Sequence, residues 1–170
     1  MISLTLAGQE NLISRNNIYL EAGGAAFFYS FNYERLLFNN PHQNVTARVG
    51  FLYLPTLNAA KRNFKGIPIS ASYIIRKRKY FMETGISMAA IIDEYDLNFE
   101  SNTFDSHVKE LVLIPSFRLG MRRQPQIKGF FWNLLFQVSY VTVDDYDNFQ
   151  FGTAEKNFIP YLSAGIGHAF

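Results

Sequence analysis

Cysteine is absent from the 170 residues, and several hallmarks of common protein classes are missing with it. Without a thiol the chain forms no disulfide, no thiolate nucleophile and no cysteine-ligated zinc site. The net charge of +2 is too small to indicate a nucleic-acid partner. The longest charge-free apolar stretch, "GFFWNLLFQVSYVTV" at 129–143, is too short and too polar for a membrane-spanning helix. No phosphate-loop, HExxH or zinc-ligand spacing occurs.

Aromatic residues, in contrast, are abundant: the chain contains 17 Phe and 10 Tyr. Many of them recur at every second position, which is the period of a β-strand. Turn signals separate the alternating segments, so we predict one all-β domain over 17–170. The first two segments could also form one long strand through Gly23 and Gly24. The predicted strands are 17–24, 25–37, 44–55, 65–76, 79–92, 110–122, 129–143 and 157–170.

Residues 1–16 form a separate N-terminal segment in this prediction. The start, "MISLTLAGQE", is a short apolar run that ends at the small pair Ala7-Gly8. It resembles the end of a secretory signal peptide, although the basic start and the full apolar segment are missing. Two interpretations therefore stay open: the remnant of a signal peptide, or an ordinary N-terminal segment.

The two faces of the predicted strands differ strongly in polarity. One face is almost wholly apolar, as in the alternating Phe27, Tyr29, Phe31 and Tyr33 of the second strand. The opposite faces carry glycine, serine, asparagine and glutamine. They also carry charges of both signs, at Glu21, Glu34, Arg48, Glu83 and Arg118.

The volume of a small barrel indicates which face lies inside. The apolar faces carry about fifteen aromatic rings, and an eight-stranded barrel is only wide enough for side chains to fill. So many rings would overpack it, whereas glycine and paired charges fit. The apolar faces then point outward, and a bilayer tolerates such a belt. Because strands span a bilayer only when every backbone group is paired, we predict a transmembrane antiparallel up-and-down β-barrel of eight strands.

Inside this barrel we expect the five charged residues to form an ion-pair network. Removing one arginine, as in Arg118→Leu, should leave at least one buried carboxylate without a partner. The alternative interpretation of the same residues is a narrow polar path or a proton-linked site.

The chain resembles the small outer-membrane β-barrel proteins of Gram-negative bacteria, of the Bacteroidota type. The likeness extends over nearly all of 17–170 and includes "IYLEAGGAAFFYSFNYERLL", "ARVGFLYLP" and "IPYLSAGIGHAF". The final strand, with His168 and Phe170, resembles the assembly signal of such proteins. The resemblance implies insertion by the barrel-assembly machinery, contact with outer-membrane lipid and two periplasmic termini. It implies little about activity.

Candidate chemical sites are weak. The carboxylates of "DDYD" at 144–147, and of Asp93, Glu94 and Asp96, could attract a hard cation, but neither set has the pattern of a calcium loop. Ser106-His107 is the only adjacent Ser–His pair, and we expect it in a long loop with nothing to orient it. We therefore assign no catalytic, cofactor or metal residue.

Three functions remain as hypotheses. The first is a non-enzymatic barrel with a side-chain-filled polar interior, acting as a structural or accessory subunit of a larger outer-membrane complex. It would contact other outer-membrane proteins through its outward strands or its acidic surface loops. The second is a small transport or solute-binding barrel. The third, for which the sequence offers least, is a lipid-modifying barrel enzyme.

Overall fold

The computed structural model describes residues 14–24, 27–40, 43–54, 63–77, 80–97, 106–141 and 158–170. The predicted segment 1–16 lies almost wholly outside the described residues. The described part contains eight strands, and no helix in it has the length and hydropathy of a membrane span. The strands are β1 (Asn16–Ala22), β2 (Tyr29–Asn39), β3 (Gln43–Leu54), β4 (Asn63–Lys77), β5 (Tyr80–Leu97), β6 (Ser106–Arg123), β7 (Gly129–Tyr140) and β8 (Phe158–Ala169).

The eight strands form a closed antiparallel barrel in chain order, which confirms the predicted fold class. Closure comes from β8 pairing with β1, in a register that sets Asn17 opposite Ala169 and Ala22 opposite Ala164. Beyond the strand, the backbone of Phe170 continues this pairing, since it exchanges two hydrogen bonds with Asn16 at 2.8 and 3.0 Å. Each described strand is hydrogen-bonded to two neighbours around the closed barrel.

The first hairpin at Gly23-Gly24 is real. The strand β1 ends at Ala22, and Gly23 adopts a φ of 65°, a left-handed conformation that glycine accepts without strain. The Gly23 amide donates to the Phe28 carbonyl at 2.6 Å, which reverses the chain. Phe27 was predicted within the outward face of the second strand, and this is wrong. It lies in the turn with a φ of 64° and packs against the apolar cluster at the top of the barrel interior.

The strands β5 and β6 are longer than predicted. The sequence pattern ended the fifth strand at residue 92 and began the sixth at residue 110, because the polar run between them looked like a loop. In the structure β5 continues to Leu97 and β6 begins at Ser106, and the backbones of Asp96 and His107 are paired. The placement of Ser106-His107 in a loop is therefore wrong, and the backbone ladder formed irrespective of side-chain polarity.

The structure confirms that the aromatic and aliphatic faces point outward. We call the end of the barrel that carries Asn16 and Ala169 the lower rim, and the opposite end the upper rim. Between them lies an exposed apolar belt. Representative members, with exposed fractions of 41–68%, are Leu20, Phe31, Val49, Ile69, Ile86, Met88, Leu113, Phe117, Phe136, Leu162 and Ile166.

Candidate functional site: a sealed ionic network inside the barrel

The five charged residues named from the sequence all lie inside the barrel. Each occupies an inward position of its strand, since side chains alternate between the two faces. All five are buried, with exposed fractions of 4% or less. They come from β1, β2, β3, β5 and β6: Glu21, Glu34, Arg48, Glu83 and Arg118.

Two arginines share one carboxylate in the middle of this network. Arg48 pairs directly with Glu21, and its Nη1 also donates to the Tyr19 hydroxyl at 3.1 Å. Arg118 Nη2 lies 3.7 Å from Glu21 Oε1 and 3.1 Å from Glu83 Oε1. Glu21 and Glu83 each have another arginine as well. Removal of Arg118 would thus leave neither of them without a cation, which corrects our expectation for Arg118→Leu.

The third arginine, Arg122, was not identified from the sequence. It pairs directly with Glu34 and lies 3.2 Å from Glu83, which makes it the cationic partner that Glu34 has in the described structure. Its guanidinium carbon stands 4.7 Å from the centre of the Phe131 ring. The alternation along the strand could have identified it, because Arg122 lies four residues after Arg118 and therefore on the same inward face. The predicted sixth strand ended at residue 122, one residue before the end of β6 at Arg123.

Neutral side chains complete the hydrogen bonding of the carboxylates. Asn17 Nδ2 donates to Glu34 Oε1 at 2.7 Å, and Ser72 Oγ donates to Glu83 Oε1 at 2.8 Å. Ser163 Oγ lies 3.4 Å from Glu21 and accepts from Gln137 Nε2 at 2.5 Å. With three glutamates and three arginines the network is balanced in charge, which is what burial of ions requires.

Apolar side chains close the interior above and below the network. Toward the upper rim lies a buried cluster of Leu52, Phe64, Ala89, Ile91, Val112, Ile114 and Val141, with Phe27, Leu54 and Ile159 packed against it. We call this cluster the upper plug. Toward the lower rim, two smaller clusters form the lower plug: Leu36, Ile74 and Phe81, and Tyr19, Phe131 and Ala169.

The plugs were not predicted, because the interior faces were interpreted as polar along their whole length. The alternation of β3 and β6 in fact places aliphatic residues inward near the upper rim, at Leu52, Val112 and Ile114. Water and ions cross an apolar constriction poorly, because it offers no partner to replace their hydration. In the described residues the ionic network therefore lies between buried apolar clusters toward the two rims, and buried polar side chains such as Asn44 and Thr46 lie beside the lower clusters.

Glycine makes room for the largest aromatic ring in the interior. A Cβ at Gly167 would collide with the Ile18 carbonyl and with the Tyr19 side chain, and a Cβ at Gly165 would collide with the Asn133 amide. Tyr19 fills the space that these glycines leave and packs against Phe131, with the ring centres 5.0 Å apart and the rings tilted by 53°. The glycines of β8 thus allow the side chains of β1 to pack closely where the two strands pair.

A second charged cluster lies outside the barrel at the upper rim. Glu94 on β5 accepts from Lys65 Nζ at 3.0 Å and lies 3.1 Å from Lys109 Nζ. It stands two residues beyond Ile92, where the apolar face of β5 ends. The two lysine ammonium groups lower the pKa of Glu94 below its ordinary value.

The described structure does not bring the other residues named from the sequence together into a binding or catalytic site. Among the described residues, no group of three or more His, Asp or Glu side chains could hold a metal ion. Asp144, Asp145 and Asp147 lie outside the described residues. His168 and Phe170, assigned to the assembly signal, are exposed on the outer face at the lower rim, and His168 pairs with Ile18 and Phe130 in the ladder.

Comparison with known proteins adds one structural likeness. No protein-family model and no curated protein matches the chain. A crystal structure of the N-terminal β-barrel domain of Pseudomonas aeruginosa OprF is similar at 11% identity, covering 92% of this chain and 96% of that one, with a TM-score of 0.45. That likeness is too low to assign a family. The architecture stands on the strand pairing of this chain itself, an eight-stranded closed antiparallel barrel.

Proposed function

We propose that this protein is an integral bacterial outer-membrane β-barrel of the Bacteroidota type, with both termini in the periplasm. Its interior passes no solute, and its role is that of a structural or accessory subunit of a larger outer-membrane complex. One observation supports this most: the molecule has an apolar exterior and a buried ionic interior with apolar clusters toward both rims.

The dimensions of the outward belt match a membrane. On β5 the apolar outward residues run from Met82 to Ile92, which at about 3.3 Å per residue and a tilt of about 40° gives a height of about 25 Å. Among the described outward-facing side chains of the strands, charges occur only near the two rims: Arg35, Arg123, Lys65, Glu94 and Lys109. A soluble protein has no reason to keep its outer surface free of charge over this height.

Aromatic residues flank the belt, as they do at the two interfaces of membrane barrels. Near the lower rim the rings of Tyr80 and Trp132 lie 6.0 Å apart. Near the upper rim those of Tyr140 and Phe158 lie 5.3 Å apart. Amphipathic rings are stable at headgroup depth because one end is apolar and the other meets water.

The interior supports a structural role over transport. A conducting barrel needs a continuous wet path, whereas here the inward arginines and glutamates bind one another and apolar plugs lie above and below them. The described residues also lack a positioned nucleophile and base, which gives no support to a lipid-modifying enzyme. Partner proteins would then bind the outward strands or the acidic loops between strands at the upper rim.

Three experiments test this proposal. Refolded protein should insert into phosphatidylcholine vesicles as a barrel that resists protease and shifts its gel mobility on heating. A protein that stays monodisperse in plain buffer without amphiphile would contradict it. The same preparation in planar bilayers should give no steady conductance, and a defined conductance would favour the transport alternative. Extraction of the native protein in a gentle detergent should recover a complex, and recovery of the protein alone would remove the accessory role.

A further inference from the structure

The described residues of the lower rim include several cationic side chains and no Asp or Glu side chain. Arg15, Arg35, Arg123 and Lys128 are all exposed there, and in the described structure none of the four forms an ion pair. No Asp or Glu occurs among the described residues at this rim, which are 14–17, 35–40, 43–47, 72–77, 80–82, 119–133 and 164–170.

The distribution of charge is not explained by solubility alone. At the upper rim the described acidic side chain Glu94 lies between Lys65 and Lys109 and pairs with both. At the lower rim, like charges are brought together instead. Asn16 is paired with Arg35, and the Arg15 carbonyl accepts from the Leu36 amide at 2.8 Å, so Arg15, just before β1, lies beside Arg35 on β2. An anion bound between the two guanidinium groups would be attracted to both.

The position of these cations next to the apolar belt indicates which kind of anion binds them. On its own face Arg35 is two residues from Tyr33, and Arg123 is two residues from Met121, both members of the exposed apolar surface. Arg123 is also paired with Trp132. The four cations lie just before β1, on β2, at the end of β6 and in the turn after β6, so they occupy the arc of the rim from β6 through β8 to β2. Lipid headgroups along this arc would meet them, since guanidinium groups bind phosphate oxygens in a bidentate manner.

We propose that the lower rim selects anionic phospholipids in the leaflet that surrounds it, through Arg15, Arg35, Arg123 and Lys128. This inference rests on the proposed membrane function. The ligand is the headgroup of a lipid with a net negative charge, such as phosphatidylglycerol, bound at the end of the apolar belt. Zwitterionic lipid also carries a phosphate, but its ammonium group cancels the attraction.

The test uses the full chain in vesicles of phosphatidylcholine containing spin-labelled phosphatidylglycerol or spin-labelled phosphatidylcholine. Electron spin resonance measures the relative association of each label with the protein. The wild type should prefer phosphatidylglycerol by at least about twofold at low salt, and the preference should fall as salt rises. The variant Arg35→Gln/Arg123→Gln should lose most of it. The matched control, Lys65→Gln/Lys109→Gln, removes the same charge from the upper rim and should keep it.

Failure of this inference is distinct from failure of the proposed function. Insertion of all three proteins into pure phosphatidylcholine is measured first, by protease resistance and heat-dependent gel mobility, and its absence would overturn the membrane assignment. If the proteins insert but the wild type shows no lipid preference, the lower-rim site is wrong. Equal losses in the two double variants would also overturn it, because the effect would then follow net charge rather than position.

Discussion

Arg122→Met is the substitution that should damage the barrel interior most. Methionine retains much of the side-chain volume but removes the cation that pairs with Glu34 and Glu83. Glu83 keeps Arg118 at 3.1 Å, whereas Glu34 keeps only the neutral amide of Asn17 at 2.7 Å. One carboxylate, buried in the barrel interior, is thus left without a cation.

The expected loss follows from this geometry. Breaking a buried ion pair by removing one partner destabilises a protein by about 3–5 kcal/mol. Loss of the guanidinium over the Phe131 ring adds a smaller term of about 1 kcal/mol. The double variant Arg122→Met/Glu34→Gln restores charge balance, so it should recover more than half of the loss. That recovery is the coupling between the two side chains.

The measurement is urea unfolding in phospholipid vesicles, followed by tryptophan fluorescence. The chain contains one Trp, and Trp132 is paired with Arg123 at the lower rim, so its emission reports whether β6 and β7 are joined. Midpoint and slope give the free energy of unfolding by linear extrapolation. A loss below about 1 kcal/mol for Arg122→Met would refute a sealed ionic interior, because such a small effect belongs to solvated pairs. A double variant no more stable than the single one would refute the pairing with Glu34.

Three further predictions follow from the same structure. Arg118→Leu should destabilise the barrel less than Arg122→Met in the same unfolding assay, since Glu21 keeps Arg48 and Glu83 keeps Arg122; a larger loss would contradict these pairings. Gly167→Ala should weaken the pairing of β8 with β1 by about 1–3 kcal/mol, because the added Cβ collides with Tyr19. It should therefore lower the temperature at which the gel mobility shifts. The control Ala164→Gly, on the outer face, should have a smaller effect. The pKa of Glu94 is lowered in the folded state, so the stability from its lysine pairs is complete above the ordinary carboxyl pKa and is lost as pH falls through the lowered pKa. Glu94→Gln should therefore flatten this part of the curve of folding stability against pH. An unchanged curve would contradict the pairing.

Most of the fold could be predicted because its signal is local. A period of two along each strand assigns every side chain to one of two faces, and the number of aromatic rings decides which face fits inside. The eight strands and the inward direction of Glu21, Arg48 and Arg118 required nothing more. The errors fell where alternation is interrupted or masked by polarity: at the turn that holds Phe27 and at the polar ends of β5 and β6.

The candidate site was only partly predictable, because its contacts join residues far apart in the chain. Arg122 and Glu34 are separated by 88 positions, and the stagger of eight paired strands decides that they meet. The alternation of side chains shows only that both residues point inward. It does not show the position of each residue along the barrel axis. For the same reason the sequence did not reveal the plugs, whose members become layers only when the strands are set in register.

The sequence by itself therefore determined the number of strands, their closure and the inverted polarity of the barrel, since each follows from a repeating pattern and a limit on interior volume. Only the tertiary structure decided which arginine neutralises which glutamate and that apolar layers seal the pairs above and below. Both depend on the register and tilt of strands around a closed sheet, where a shift of two residues keeps every side chain on its face but changes every partner.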